Sequence, residues 1–109
     1  MNKYRTHNCS ELNENHIGKN VKVSGWIHRK RDHGNLLFLD LRDHFGITQC
    51  VIENKDKNFG VLEKTKPESV VTIEGSVIKR SKETANTDLK TGLIEIKVIK
   101  VRILSESKE

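Results

Sequence analysis

Three observations predict an all-β fold for this chain, a small closed barrel of five strands. Four stretches alternate apolar and polar residues with a period of two and a fifth strand-like stretch, third in order, is apolar on both faces, one short helical pattern falls between the third and fourth, and turn residues mark most of the junctions. At 109 residues the sequence has the length of one domain, enough to close a single core without disulfides but short for a core plus a large catalytic pocket.

Residues 1 to 20 are polar and predict a short N-terminal helical leader lying across the sheet, with Asn13 as its cap, His16 and Ile17 in the turn and Gly18 as its stop. Alternation starts at Val21: Val21, Val23, Gly25 and Ile27 share one face, and Lys22, Ser24, Trp26 and His28 the other. Arg29, Lys30 and Arg31 then close strand 1 and enter its loop, where Asp32-His33-Gly34-Asn35 supplies turn chemistry. In strand 2 Leu37, Leu39 and Leu41 take the core, and Phe38 is left on a face with Asp40 and Arg42. After a turn at Asp43-His44-Phe45-Gly46, strand 3 runs from Ile47 to Glu53 with apolar residues on both faces, so periodicity leaves the direction of Gln49 open.

Lys55 to Lys66 carries Phe59, Val61 and Leu62 in a polar surround and ends before Pro67, which predicts one short helix. Ser69 to Lys79 is the fourth strand, with Val71, Ile73, Gly75 and Val77 on one face. Leu93 to Leu104 is the fifth, and its alternation slips between Val98 and Val101, as a bulge requires. The loop from Arg80 to Gly92 is rich in Lys, Thr and Asn, lacks apolar anchors and is expected to be mobile. Three strands, a helix and two strands, after a short N-terminal helical leader, is the order of a five-stranded OB-fold Greek-key barrel, which binds oligonucleotides over strands 2 and 3 and the loops joining 1 to 2 and 4 to 5. The domain is expected to span residues 1–104, with 105–109 opening a linker.

Charge and composition narrow the function. Twenty basic against 15 acidic residues give a net charge of +5 and a pI near 9.3, an excess suited to localised contacts with an anionic partner rather than to coating DNA. Cys9 and Cys50 lack the spacing of a zinc site or redox pair and fit two reduced thiols in a cytoplasmic protein. No stretch approaches the length of a membrane span, the histidines at 7, 16, 28, 33 and 44 show no metal spacing, and no catalytic constellation or glycine-rich phosphate loop is present. A recognition module is expected, without catalytic residues, metal or cofactor of its own.

Its candidate binding residues cluster around Phe38. Base stacking contributes about 1 to 3 kcal/mol per base and would use an aromatic that a polar face does not; packing beneath the leader or the 80–92 loop is the alternative. Arg29, Lys30 and Arg31 can grip phosphate or, through guanidinium groups, read a base edge. Gln49 can donate and accept at a base edge, and Glu95 on strand 5 can accept from a guanine; either could equally be a solvated side chain. Asp40 and Arg42, two apart on one face, could form an ion pair that orients the arginine, and Trp26 is expected to support the loop from a partly buried position. A sequence-tolerant single-strand binder and a protein-interaction module both fit these residues.

Several motifs go further. Arg5-Thr6-His7-Asn8-Cys9, the Val21 to Trp26 strand ending in Gly-Trp, Arg29 to Gly34, Phe38-Leu39-Asp40-Leu41-Arg42-Asp43 and Thr91-Gly92-Leu93-Ile94-Glu95 together resemble the N-terminal anticodon-binding domain of bacterial-type aspartyl-tRNA synthetases, nearly end to end. The resemblance implies a domain that grips the anticodon loop of an aspartate tRNA, reading G, U and C. It implies stacking of the central uracil on Phe38, loop contacts from Arg29 and Arg31, base reading by Gln49, and contact of Glu95 with the first anticodon base. Lys30 stands where arginine is common, Leu93 where glutamate is, and Thr84 where asparagine is, although Asn86 remains as the loop's contact. His33 resembles the relaxed members that also charge asparagine tRNA. ATP and magnesium are implied only for a separate class II catalytic domain of a parent enzyme that is a homodimer.

Overall fold

The computed structural model describes residues 5–107. A 3-10 turn at Glu14–His16 precedes β1 (Asn20–His33), β2 (Leu36–Arg42), β3 (Ile47–Glu53), α1 (Phe59–Lys64), β4 (Val70–Lys79) and β5 (Ile94–Ser105). The strands close into a barrel in the order β1-β2-β3-β5-β4, with β3 and β5 parallel and the other pairs antiparallel. The predicted OB-fold order, helix and leader are all present, the helix shorter than its Lys55–Lys66 pattern.

The 14-residue β1 is shared by two neighbours, pairing with β4 from Asn20 to Trp26 and with β2 from Trp26 to His33. Gly25 lies at the handover, where a Cβ would collide with the Arg42 carbonyl. Just beyond, Ile27 pairs with Leu41 but Arg29 with Asp40, so His28 is an inserted bulge residue. An extra residue inverts the alternation that follows it. Ile27 points into the core, and after the bulge Lys30, opposite the buried Leu39, lies on the inner side, which turns Arg29 and Arg31 outward. These three cations belong to the strand and not to the loop expected from sequence; the hairpin turn is only Gly34-Asn35, with Gly34 at φ +67°.

Val21, Val23, Ile27, Leu37, Leu39, Leu41, Ile52, Val71, Ile73, Val77, Ile94 and Ile96 fill the barrel. Leu62 of α1 is fully buried among them, and Phe59 packs at its edge. Asn58 precedes α1 without capping it, because its side chain donates instead to the carbonyl of Ile99, the bulged residue that breaks the alternation of β5 between Val98 and Lys100. At the other end of α1 the Lys30 ammonium donates to the carbonyls of Leu62, Glu63 and Thr65 at 3.2, 2.8 and 2.6 Å. Three rotatable donors meet three orphan carbonyls, so Lys30 caps the helix from inside the hairpin.

The leader is tied in by Cys9 and Leu12, both in the core, and by Asn13, whose side chain accepts from Asn15 N. Asp43 anchors it to the β2–β3 turn: the carboxylate accepts from Cys9 N, Phe45 N and Gly46 N and lies 3.7 Å from Arg5. Burial and the nearby Asp43 raise the Cys9 thiol above its usual pKa, and burial does the same for Cys50. Both cysteines are free and buried.

The loop from Arg80 to Gly92 departs from the expectation of an unanchored segment. Arg80 is buried and donates to the Ile94 and Thr84 carbonyls, Thr91 is buried with its hydroxyl on the Ile47 carbonyl, and Asn86 N bonds Gly92 O at 2.8 Å. Polar anchors therefore hold the loop, with Leu89 half-buried beside Phe45 and Ile47.

Candidate nucleic-acid interface

The register of the barrel arranges the outer face in rows. Asp40 pairs with Gln49 in one row; in the next, Arg31 pairs with Phe38, Phe38 with Val51, and Val51 with Lys97. Since Leu39, Cys50 and Ile96 between them are fully buried, these rows face outward. Phe38 thus holds its predicted place outside the core, but it is not left bare. Only 9% of it is exposed, and the ring of His33 stands edge-on at 5.4 Å between centroids and 90° between planes. A base stacking on Phe38 must displace or share the place of His33, the exposed last residue of β1.

Beside this ring runs a continuous polar chain across three strands. Arg31 donates from Nη1 to Asp40 Oδ2 at 2.8 Å and from Nη2 to Asp40 Oδ1 at 3.2 Å, a two-pronged pair, and Nη2 also donates to Gln49 Oε1 at 2.7 Å. Gln49 Nε2 in turn donates to Glu95 Oε1 at 2.7 Å. Gln49 is 2% exposed and Glu95 8%. Gln49 is therefore neither a core-facing residue nor a solvated one: both ends of its amide are fixed, with the oxygen toward Arg31 and the nitrogen toward Glu95. The partner of Asp40 is Arg31 across the hairpin, not Arg42, which is exposed at the end of β2.

Arg80 lies beneath this chain. Burial raises the Glu95 carboxyl, while the Gln49 hydrogen bond and the Arg80 charge pull it down. Arg80 is itself lowered by burial and held charged by Glu95 and Asp40. Two guanidinium groups balance two carboxylates around one amide, which makes the network nearly neutral and rigid rather than a phosphate grip. What it offers a ligand is shape and hydrogen bonds. Glu95 keeps acceptor capacity for base N–H groups, and Phe38 with Val51 provides an apolar floor alongside.

Other predicted residues lie around or away from this centre. Arg29 is exposed on the same face and enters none of the ion pairs among the described residues. Lys30 is not part of the face, being spent on α1, and burial lowers its pKa. Trp26 packs edge-on against His44 at 5.6 Å, supporting the β2–β3 turn and not the basic loop as expected. Asn86 is exposed, but its side-chain oxygen accepts from Asp88 N within the loop, so it is not drawn into the network. Arg80 and Lys97 escaped sequence reasoning, because a lone cation beside a loop or on a strand carries no pattern. Among the described residues no cluster of histidine, cysteine or carboxylate could hold a metal, and no helix is long and apolar enough to cross a membrane.

Comparison with known proteins places this face in context. The OB-fold nucleic acid binding domain family, of tRNA anticodon type, matches residues 21–104. An aspartate–tRNA(Asp/Asn) ligase of Pelagibacter ubique is 57% identical over 109 residues, all of this chain and 18% of the ligase. One from Bartonella quintana is 52% identical over the same 109 residues, again 18% of its length. The chain thus spans less than a fifth of these relatives. Among solved structures, an asparaginyl-tRNA synthetase of Pyrococcus horikoshii aligns over 93% of this chain and 22% of its own at 28% identity and a TM-score of 0.77. An OBody bound to hen egg-white lysozyme aligns over 98% of this chain and 99% of its own, with 25% identity and a TM-score of 0.81.

Proposed function

Because the chain belongs to the family of OB-fold nucleic acid binding domains, we propose that it is the anticodon-binding domain of an aspartate–tRNA ligase and that its outer face holds the anticodon loop. The observation that carries this reading is the joined arrangement of Phe38 and the Arg31–Asp40–Gln49–Glu95 chain on the face that OB-folds use for single strands. One base is held by its plane on Phe38, and Glu95, held in place by Gln49, accepts from the edge of its neighbour. That pairing of stacking with fixed hydrogen bonding suits unpaired, splayed bases of an RNA loop better than a duplex. Arg31 acts here by orienting Asp40 and Gln49, and Arg29 offers the exposed charge. β5 runs one residue past the expected boundary, through Ser105, so the start of a linker is read after it, and the activation of aspartate with ATP and magnesium falls to the remainder of a cytoplasmic, homodimeric ligase.

Relatives named for both aspartate and asparagine tRNA support a domain that accepts either, in keeping with His33 at the edge of the stacking site. The experiment is a titration of the 109-residue chain with anticodon stem-loops carrying G-U-C, G-U-U and an unrelated triplet at equal salt. Preference for both of the first two over the third is expected. Equal binding of all three would leave only a sequence-tolerant binder. Binding of no RNA would favour a protein partner, the use made of the fold by the lysozyme-bound OBody.

A further inference from the structure

Resting on that reading, we propose that Lys97 is a further binding residue, contacting the backbone phosphate of the nucleotide whose base lies on Phe38. Lys97 pairs with Val51, and Val51 with Phe38, so the three side chains form one row over β2, β3 and β5. The neighbouring pair, Cys50 and Ile96, is fully buried, which fixes Lys97 on the outer side. Two strand spacings separate its backbone from that of Phe38, about 10 Å. A four-carbon stem lets the ammonium reach toward the sugar-phosphate of a base seated between them.

Charge accounting singles this lysine out. Arg31, on the opposite side of Phe38 in the same row, is compensated by Asp40 and committed to Gln49. Lys30 faces inward onto α1. Lys97 is exposed, and none of the ion pairs among the described residues includes it. Glu53 and Asp56 border the same hollow, but Glu53 has Lys55 at 3.8 Å. Lys57 and Lys100 line the adjoining hollow with Lys97, so the positive potential continues along the surface away from the ring. Arg29 keeps its exposed charge on β1, in the row of Asp40 and Gln49, so in the row of Phe38 itself Lys97 is the exposed cation outside the ion pairs, and a phosphate beside the stacked base gains most there.

The test is the salt dependence of G-U-C stem-loop binding to the 109-residue chain and its Lys97→Gln and Lys97→Arg variants. Losing one phosphate contact lowers the slope of log affinity against log salt by about 0.7, so over a fourfold salt range Lys97→Gln should lose about 2.6-fold less affinity than the parent. Lys97→Arg should keep the parent slope, and the preference for G-U-C over an unrelated loop should survive in both. Lys66→Gln, the same charge change just beyond α1, should leave the slope unaltered. A parent-like slope in Lys97→Gln, or an equal loss in Lys66→Gln, would overturn the assignment. If instead the parent chain held every loop equally, the anticodon reading would fail while the slopes still decided the phosphate contact. A parent chain that bound no RNA would overturn both.

Discussion

Replacing Gln49 by glutamate changes one NH2 group for an oxygen and tests whether the polar chain is as tightly joined as its distances say. The new carboxylate keeps its acceptor toward Arg31 but sets an oxygen against Glu95 Oε1 where a donor stood at 2.7 Å. Two carboxylates cannot share that distance while both are ionised, so the pair retains a proton. In the unfolded chain both titrate near pH 4.3, and the folded pair is raised above that. The folded state therefore binds the extra proton, and the stability it confers is present at low pH and lost as pH rises toward the raised value. The loss runs at about 1.36 kcal/mol per pH unit, giving an upper limit near 3.7 kcal/mol at pH 7 for a proton taken up against an ordinary pKa of about 4.3. Wild-type Glu95 is already raised by burial, so the variant is compared with wild type at each pH and not with a flat line. Urea unfolding from about pH 5 to pH 8 should show Gln49→Glu destabilised by about 2 to 3 kcal/mol at neutral pH, recovering toward wild type on acidification. Parallel pH profiles for the two proteins would mean that the carboxylates move apart at little cost, and the network would not be the rigid edge reader inferred here.

Three other outcomes follow from the same geometry. Lys30→Met should lower unfolding stability by about 1 to 2 kcal/mol through loss of the α1 cap, seen as a lower urea midpoint, while leaving the salt slope of RNA binding unchanged. Phe38→Ala should weaken stem-loop binding by about 1 to 3 kcal/mol. Because Phe38 is buried against the sheet, the same variant should also lower the unfolding midpoint, so binding is measured where circular dichroism shows it folded. Cys9 and Cys50, buried and with raised pKa values, should resist a thiol reagent in the native protein and react once denaturant is added; rapid native labelling would contradict the packing of the leader.

Much of the barrel was legible because its strands alternate visibly. Val21-Val23, the Leu37-Leu39-Leu41 series and Val71-Ile73 each place their apolar residues in the core as periodicity requires, and the slip in β5 falls at Ile99, where the structure has its extra residue. The outer position of Phe38 came from the same logic. Its cover by His33 did not, because a contact between the turn and the middle of a strand depends on how the hairpin curls. Gln49 was ambiguous because β3 is apolar on both faces, Val51 outward and Ile52 inward. The spacing of Asp40 and Arg42 along the strand suggests an ion pair, whereas the register brings Asp40 to Arg31 across the hairpin. Sequence spacing sees neighbours within one strand; the pairs that build this site are between strands.

The basic triplet shows why that distinction governs function. Arg29, Lys30 and Arg31 read as one cluster, yet the bulge at His28 divides them: without it Lys30 would face outward and both arginines would point toward the barrel end. Periodicity cannot reveal the bulge, since no apolar residue follows Ile27 in β1 to mark the change of face. Each cation then meets a different fate. Lys30 satisfies a helix end, Arg31 is neutralised while fixing Asp40 and Gln49, and only Arg29 keeps an exposed charge. The net +5 of the chain therefore overstates the charge available where bases are read. A face that is neutral at its centre and cationic at its margins, at Arg29 on β1 and Lys97 on β5, lets hydrogen bonds and stacking choose the bases while phosphate attraction acts from the sides.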